Sequence, residues 1–345
     1  LLALTGYSSA RMEASGGRVW LNANESPWPH SEDVRFNRYP EPQPMQLRAQ
    51  LAELYGVADQ RLLIGRGSDE AIDLLVRAFC RAGVDAILIQ PPTFGMYAVC
   101  AAVQGAAVCN VPLRRETGFL PDFDALLAAV AASAETAQPV KLVFVCAPNN
   151  PTGDLPSRDT ILALADALRG RALVVVDEAY IEYADNESLA IAVASHENLV
   201  VLRTLSKAHA LAAARIGCLI AAPEIVALLR RIMPPYPLPT PCVEAAVAAL
   251  SPLAQERTRE RIALVRDERR LLRNRLLRFD DVREVLPSQA NFLAVRFENT
   301  GARYSQLLSR GIAVRYFRAS PAPEEPLRVT AGVPRATRAR SAASA

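Results

Sequence analysis

Three short apolar runs in the middle of the chain each end in a polar residue of a different kind: Asn150, Asp177 and Lys207. They lie 27 and 30 residues apart, close to one strand-plus-helix unit each. Ligands of open parallel sheets sit beyond the carboxyl ends of the strands, so this spacing brings an amide, a carboxylate and an amine to one edge. The amine is notable because all but two of the 39 basic residues are arginine, the exceptions being Lys141 and Lys207. A primary amine can lose its proton and attack a carbonyl, whereas a guanidinium does not deprotonate. An amine beside a carboxylate suits a cofactor that carries an aldehyde on a pyridine ring. Lys207 would bond the aldehyde, and Asp177 would pair with the ring N–H⁺ and so keep the ring able to accept electrons. Tyr180, three residues after Asp177, and Asn150 would hydrogen-bond the ring hydroxyl.

Such a cofactor carries a phosphate and calls for an anion cup. Gly67-Ser68-Asp69 heads a predicted helix, where backbone N–H groups and the helix dipole favour an anion. An ordinary helix cap reads the same way. The local Gly65-Arg-Gly67 is not a dinucleotide fingerprint, because Glu70 stands where the third glycine would be. Ser206 and Arg215 would add a hydroxyl and a guanidinium fork. Tyr97 is a candidate to stack on the ring, although an aromatic after Pro91-Pro92 also suits a core.

The elements that must position these residues follow from the apolar pattern. Strands are expected at Arg61–Ile64, Asp85–Ile89, Val108–Val111, Lys141–Cys146, Leu173–Val176, Leu199–Leu202 and Ile216–Ala221, alternating with helix-like stretches such as Asp69–Arg81. That alternation is the pattern of βαβ units, and runs apolar on both faces need a sheet covered on both sides. The Pro-rich stretch Pro234–Pro241 breaks the pattern and marks an expected domain boundary. Beyond it a long mixed-charge helix is expected from about Gln255 to Phe279, followed by strands at Asn291–Phe297 and Leu327–Thr330. From Val333 the tail lacks apolar periodicity.

With 345 residues, 51% hydrophobic, the chain is long enough for two packed domains. A net charge of +3 argues against a dedicated nucleic-acid binder. Six cysteines without a C-x-x-C pair suggest reduced thiols in a cytoplasmic protein. Neither a membrane span nor a signal peptide is expected.

The segments Asn149-Asn-Pro-Thr-Gly153, Asp177-Glu-Ala-Tyr180, Thr204-Leu-Ser-Lys207 and Arg215-Ile-Gly217 resemble those of the fold-type I pyridoxal-phosphate aminotransferases. Longer stretches narrow the likeness: Trp20–Pro27, Arg38–Pro44, Gly67–Glu70, Pro91–Tyr97 and Leu327–Thr330. These are similar to the histidinol-phosphate branch of that family, over roughly residues 5–330. The resemblance implies an α/β fold: a large domain (31–240) on a mainly parallel seven-stranded sheet covered by helices, plus a smaller α+β domain (1–30 and 241–345). It implies pyridoxal 5'-phosphate as cofactor and a homodimer with shared sites. The implied reaction exchanges the amino group of L-histidinol phosphate with 2-oxoglutarate, giving imidazole acetol phosphate and L-glutamate.

By the same resemblance Lys207 bonds the cofactor and moves the proton at Cα, Asp177 holds the ring nitrogen, Tyr180 and Asn150 the ring oxygen, and Tyr97 stacks. The phosphate meets Ser68, Asp69, Thr204, Ser206 and Arg215, with Tyr39 reaching in from the second subunit. Asn150 and Tyr39 also face substrate. Arg328 matches the arginine that binds the substrate carboxylate, and Arg315 one associated with the phosphate of histidinol phosphate. Related readings are an aromatic-amino-acid aminotransferase, a phosphothreonine decarboxylase, or a non-catalytic cofactor-binding regulator. A regulator would carry a helix-turn-helix, and none is expected before Trp20. The chain departs from the family pattern at His209, at Leu211-Ala-Ala-Ala-Arg215, and after Ala331, where an Arg/Ala/Ser tail replaces the final helix.

Overall fold

A computed structural model describes residues 19–31, 36–317 and 326–332. The tail from Val333 lies outside the described residues. Seven strands form the large sheet: β1 (Leu62–Gly65), β2 (Ala86–Ile89), β3 (Ala107–Asn110), β4 (Val140–Cys146), β5 (Leu173–Asp177), β6 (Leu199–Thr204) and β7 (Gly217–Ile220). Their order is β1-β7-β6-β5-β4-β2-β3. β7 runs antiparallel to both β1 and β6, and the remaining pairs are parallel.

Alternation along each strand divides its side chains between two cores. On β4, Val143 and Val145 face one core while Leu142, Phe144 and Cys146 face the other. The first core is covered by α1 (Met45–Tyr55), α4 (Phe123–Ala134), α5 (Arg158–Ala167) and α7 (Thr240–Ala249). The second is covered by α2 (Ser68–Phe79), α3 (Met96–Gln104) and α6 (Pro223–Ile232). Full burial of each Val or Leu on these strands contributes roughly 1.5–3 kcal/mol, which is why the apolar runs settle as the central layer.

The 25-residue α8 (Pro252–Leu276) leads into a second, antiparallel sheet of order β10-β11-β9-β8. Its strands are β8 (Val282–Val285), β9 (Phe292–Phe297), β10 (Arg315–Tyr316) and β11 (Leu327–Thr330), with α9 (Thr300–Ser309) between β9 and β10. Leu272 and Leu276 of α8, Leu293 and Val295 of β9, and Leu307 of α9 share its core. Ala246 of α7 and Leu250 pack into the same core as the large sheet. No described helix is long and apolar enough to cross a membrane. The six cysteines are all unpaired.

Candidate active site

Parallel pairing sets β4, β5 and β6 ending on the same side, with Cys146 opposite Asp177 and Asp177 opposite Leu202. The turns leaving these ends carry Asn150, Tyr180 and Lys207 around one cavity of about 140 Å³. Ser68 and Asp69 from the head of α2, Thr204, Ser206 and Arg215 complete the wall on one side, and Phe94 stands on another. Two wider clefts, of about 840 and 910 Å³, mix arginines and carboxylates with apolar residues and lack a lysine. The groups able to do carbonyl chemistry converge on the smaller cavity.

Close backbone approach builds the cup at its edge. Gly67 holds φ +87°, and a Cβ there would lie 2.7 Å from Arg215 Nη2. A Cβ on Gly217 would lie 2.6 Å from the Ser68 amide nitrogen. Only glycine at 217 therefore lets β7 run against the turn that opens α2. Arg215 itself is in the left-handed region, φ 55°, which folds its side chain back over the cup. It donates to Ser206 Oγ at 3.4 Å and pairs with the Asp69 carboxylate at 3.1 Å. The Thr204 hydroxyl donates to Ser206 Oγ at 2.9 Å and accepts from the Ser206 amide at 3.1 Å. Hydroxyls, a guanidinium and the head of a helix around one hollow make an anion site.

Asp177 closes the opposite end. It is buried, and burial pushes its carboxyl up to about 6 against the pull of its hydrogen bonds. The Ala179 amide donates to Oδ1 at 3.1 Å, and the Tyr97 hydroxyl donates to Oδ2 at 2.8 Å. Tyr97, expected to stack on a ring, does not line the cavity: it is fully buried behind Asp177, stacked on Phe144 at 4.6 Å between centroids. The aromatic that lines the cavity is Phe94, three residues earlier, edge-on to Tyr97 at 5.6 Å. Both aromatics of Pro-Pro-Thr-Phe-Gly-Met-Tyr were visible in the sequence; which one faces the cavity depends on where α3 starts. Tyr180 lies over Phe292, edge to face, and burial raises its phenol above the ordinary value.

Lys207 Nζ lies 5.6 Å from the centroid of the Tyr180 ring. Desolvation, then the charge of Arg328, hold its amine below the ordinary lysine value, with Arg215 adding to the effect. A lowered value is what an amine needs in order to be unprotonated and reactive.

The small domain supplies the remaining cations. Arg328, on β11, donates to Asn150 Oδ1 across the domain boundary and lies 5.4 Å from the Phe292 ring centroid. Arg315, on β10, is exposed and directly opposite Arg328 in the strand register. Tyr39 lies apart from its own chain's cavity. It is about half exposed and stacks on Tyr236 at 4.4 Å, while its amide donates to Glu25 Oε1 at 2.6 Å. Among the described residues no cluster of His, Cys, Asp and Glu could hold a metal.

An α/β chain with helices on both faces of its large sheet, and a cavity joining an amine, a buried carboxylate and an anion cup, has the architecture of a cofactor-dependent transferase. The model of the aminotransferase class I and II family matches residues 15–344, and the chain belongs to that family. A histidinol-phosphate aminotransferase of Stenotrophomonas maltophilia is 55% identical over 337 residues, covering 97% of this chain and 91% of the relative. A histidinol-phosphate aminotransferase from Clostridium acetobutylicum superposes with a TM-score of 0.81 at 21% identity, covering 90% of each chain, and so shares the fold. The enzyme of that name from Sinorhizobium meliloti, solved in complex with pyridoxal-5'-phosphate, gives 0.79 at 25% identity, covering 93% of this chain and 88% of that one. The residues present here fit such a group. The cup edged by Gly67 and Gly217 suits a phosphate, the buried carboxylate suits a ring nitrogen, the Phe94 wall suits a flat ring and the amine of Lys207 suits an aldehyde.

Proposed function

We propose that this chain transfers the amino group of L-histidinol phosphate to 2-oxoglutarate, giving imidazole acetol phosphate and L-glutamate, with pyridoxal 5'-phosphate as cofactor. The observation that carries the reading is the pairing of a desolvated amine and a buried carboxylate across one cavity with an anion cup at its rim. When bound, the cofactor supplies an aldehyde for amines and a protonated pyridine ring that takes up the electrons of a broken Cα–H bond.

The protein's own groups do the rest. Asp177 holds the proton on the ring nitrogen. Tyr180 donates to the ring oxygen together with Asn150. Ser68, Asp69, Thr204, Ser206 and Arg215 would hold the phosphate, with Phe94 on the wall of the same cavity. Lys207 would hold the aldehyde and, once its amine is free, would take up the proton of the substrate Cα and hand it back across the nitrogen. Arg328 meets the carboxylate of 2-oxoglutarate or glutamate and Arg315 the phosphate of histidinol phosphate. The two substrates use the same site in turn, so the kinetics are ping-pong. Two further parts of the reading are a cytoplasmic setting, supported by the six unpaired cysteines, and a homodimer in which the partner subunit's Tyr39 reaches the cup.

Borohydride reduction of the loaded enzyme tests this directly. The cofactor should be trapped on the peptide holding Lys207, and Lys207→Ala should abolish both the visible absorbance and turnover. Trapping on Lys141 would overturn the assignment. In the same assay Arg315→Ala should lower kcat/KM for phosphorylated donors about 10- to 100-fold more than for unphosphorylated ones; an equal loss would remove its role.

A further inference from the structure

The hydroxyl of Tyr97 has no place in the reading above, because it faces away from the cavity and into the back of Asp177. We propose that Tyr97 is a positioning residue that acts through Asp177: its hydroxyl, donating to the carboxylate from behind, keeps the shared proton on the cofactor's ring nitrogen. The inference rests on the reading of Asp177 as the partner of that nitrogen.

The geometry is specific. Tyr97 has no exposed surface, and its ring is held between Phe144, stacked at an interplanar angle of 14°, and Phe94, edge-on at 85°. The hydroxyl is thereby aimed at Asp177 Oδ2, while the Ala179 amide occupies Oδ1. A carboxylate has about four acceptor positions, so two such donors orient it and still leave a lone pair for a third. Each donor also lowers the basicity of the carboxylate. A proton lying between a carboxylate and a pyridine nitrogen goes to the more basic partner. In a dry site the carboxylate would win that contest, since burial alone drives Asp177 upward. The two donated bonds work against that drift. The other titratable groups that face Asp177 are Asp69 at the head of α2, Cys146 at the end of β4, Tyr180 and Lys207. Burial pushes the phenol of Tyr97 well up, so it remains a donor throughout the working pH range.

The consequence can be read in the spectrum of the loaded enzyme. A ring nitrogen that keeps its positive charge withdraws electrons from the bond between Lys207 and the cofactor, and that bond then releases its own proton at lower pH. Tyr97→Phe keeps the ring and its packing and deletes the donor. The pH midpoint of the bound cofactor's visible absorbance change should rise by about half to one unit, with kcat falling more than KM rises. Phe144→Leu loosens the same aromatic stack and leaves the hydroxyl, so its midpoint should move by less than that of Tyr97→Phe. An unmoved midpoint in Tyr97→Phe, or an equal movement in Phe144→Leu, overturns the proposal. So does a Tyr97→Phe protein that takes up no cofactor, because a tuning group alters the midpoint and not occupancy. A wild-type protein that shows no cofactor absorbance at all would instead sink the functional reading on which this one stands.

Discussion

Asp177 illustrates how one buried carboxyl links the site to folding. Its ordinary value is 3.8 and burial raises it to about 6 in the folded chain. Between those values the folded state holds a proton that the unfolded state has released, so this group's contribution to stability falls as pH rises through the window. Above about pH 6 the full penalty is present, at most about 3 kcal/mol for a shift of this size. A cation placed against the carboxylate removes it. The cofactor-free protein should therefore lose more stability than the loaded protein between pH 4 and pH 7, and Asp177→Asn should abolish much of the difference. Melting temperatures of both forms across that range check this, and parallel curves would contradict it. Asp177, Lys207 and Asn150 were legible in the sequence because each closes an apolar run. Tyr97 was legible as an aromatic near the site but not in its placement, since the chain turns into helix at Met96, between Phe94 on the cavity wall and Tyr97 behind it.

The elements carry the next level of positioning. β5 and β6 place Asp177 and Lys207, and a buried ion cluster ties the ends of these strands together. Arg203, on β6, reaches Glu178 at 3.4 Å and Glu182 at 2.7 Å, and donates to the Ser188 hydroxyl at 2.8 Å. Its guanidinium also lies 4.5 Å from the centroid of the Tyr55 ring. Arg203 and Glu178 are almost completely buried, so removing one partner leaves charge in a dry place. Arg203→Met should cost about 3–5 kcal/mol, and the double change with Glu178→Gln should recover part of it. Urea denaturation of the single and double variants measures both; a single variant as stable as wild type would show the cluster to be idle. The strands around this cluster were legible because runs such as Lys141–Cys146 are apolar on both faces. Their neighbours were less so. Nothing in Ile216–Ala221 announces that β7 turns antiparallel, or that Gly217 must lack a side chain for the cup to close, because the clash is with a turn some 150 residues earlier. β8 and β10 are short and partly exposed, which leaves little periodicity to read.

At the scale of the molecule the site draws on two sheets with separate cores. Arg328 belongs to the small sheet yet donates to Asn150 of the large domain, so the small-domain cations and the groups lining the cavity meet only when both domains are in place. In the proposed homodimer Tyr39 would extend the same logic beyond one chain. Its ring rests on Tyr236, beside Glu25 and the stretch Pro239–Pro241, in a pocket separate from the cavity that holds Lys207. If its hydroxyl serves the cup of a partner subunit, two damaged chains should complement each other. Tyr39→Phe keeps the stack and loses the hydroxyl, weakening the hold on phosphate about tenfold. Lys207→Ala is inactive. In a hybrid of the two, one site has an intact Lys207 from the Tyr39→Phe chain and an intact hydroxyl from the Lys207→Ala chain. That site should bind cofactor and turn over as in the wild type, giving about half the wild-type activity per dimer. Should Tyr39 act within its own chain, the hybrid has no complete site, and its one active site keeps the weakened affinity of the Tyr39→Phe parent. Titrating cofactor into purified hybrids distinguishes these outcomes, since only an intersubunit site restores the wild-type affinity without restoring either mutated residue.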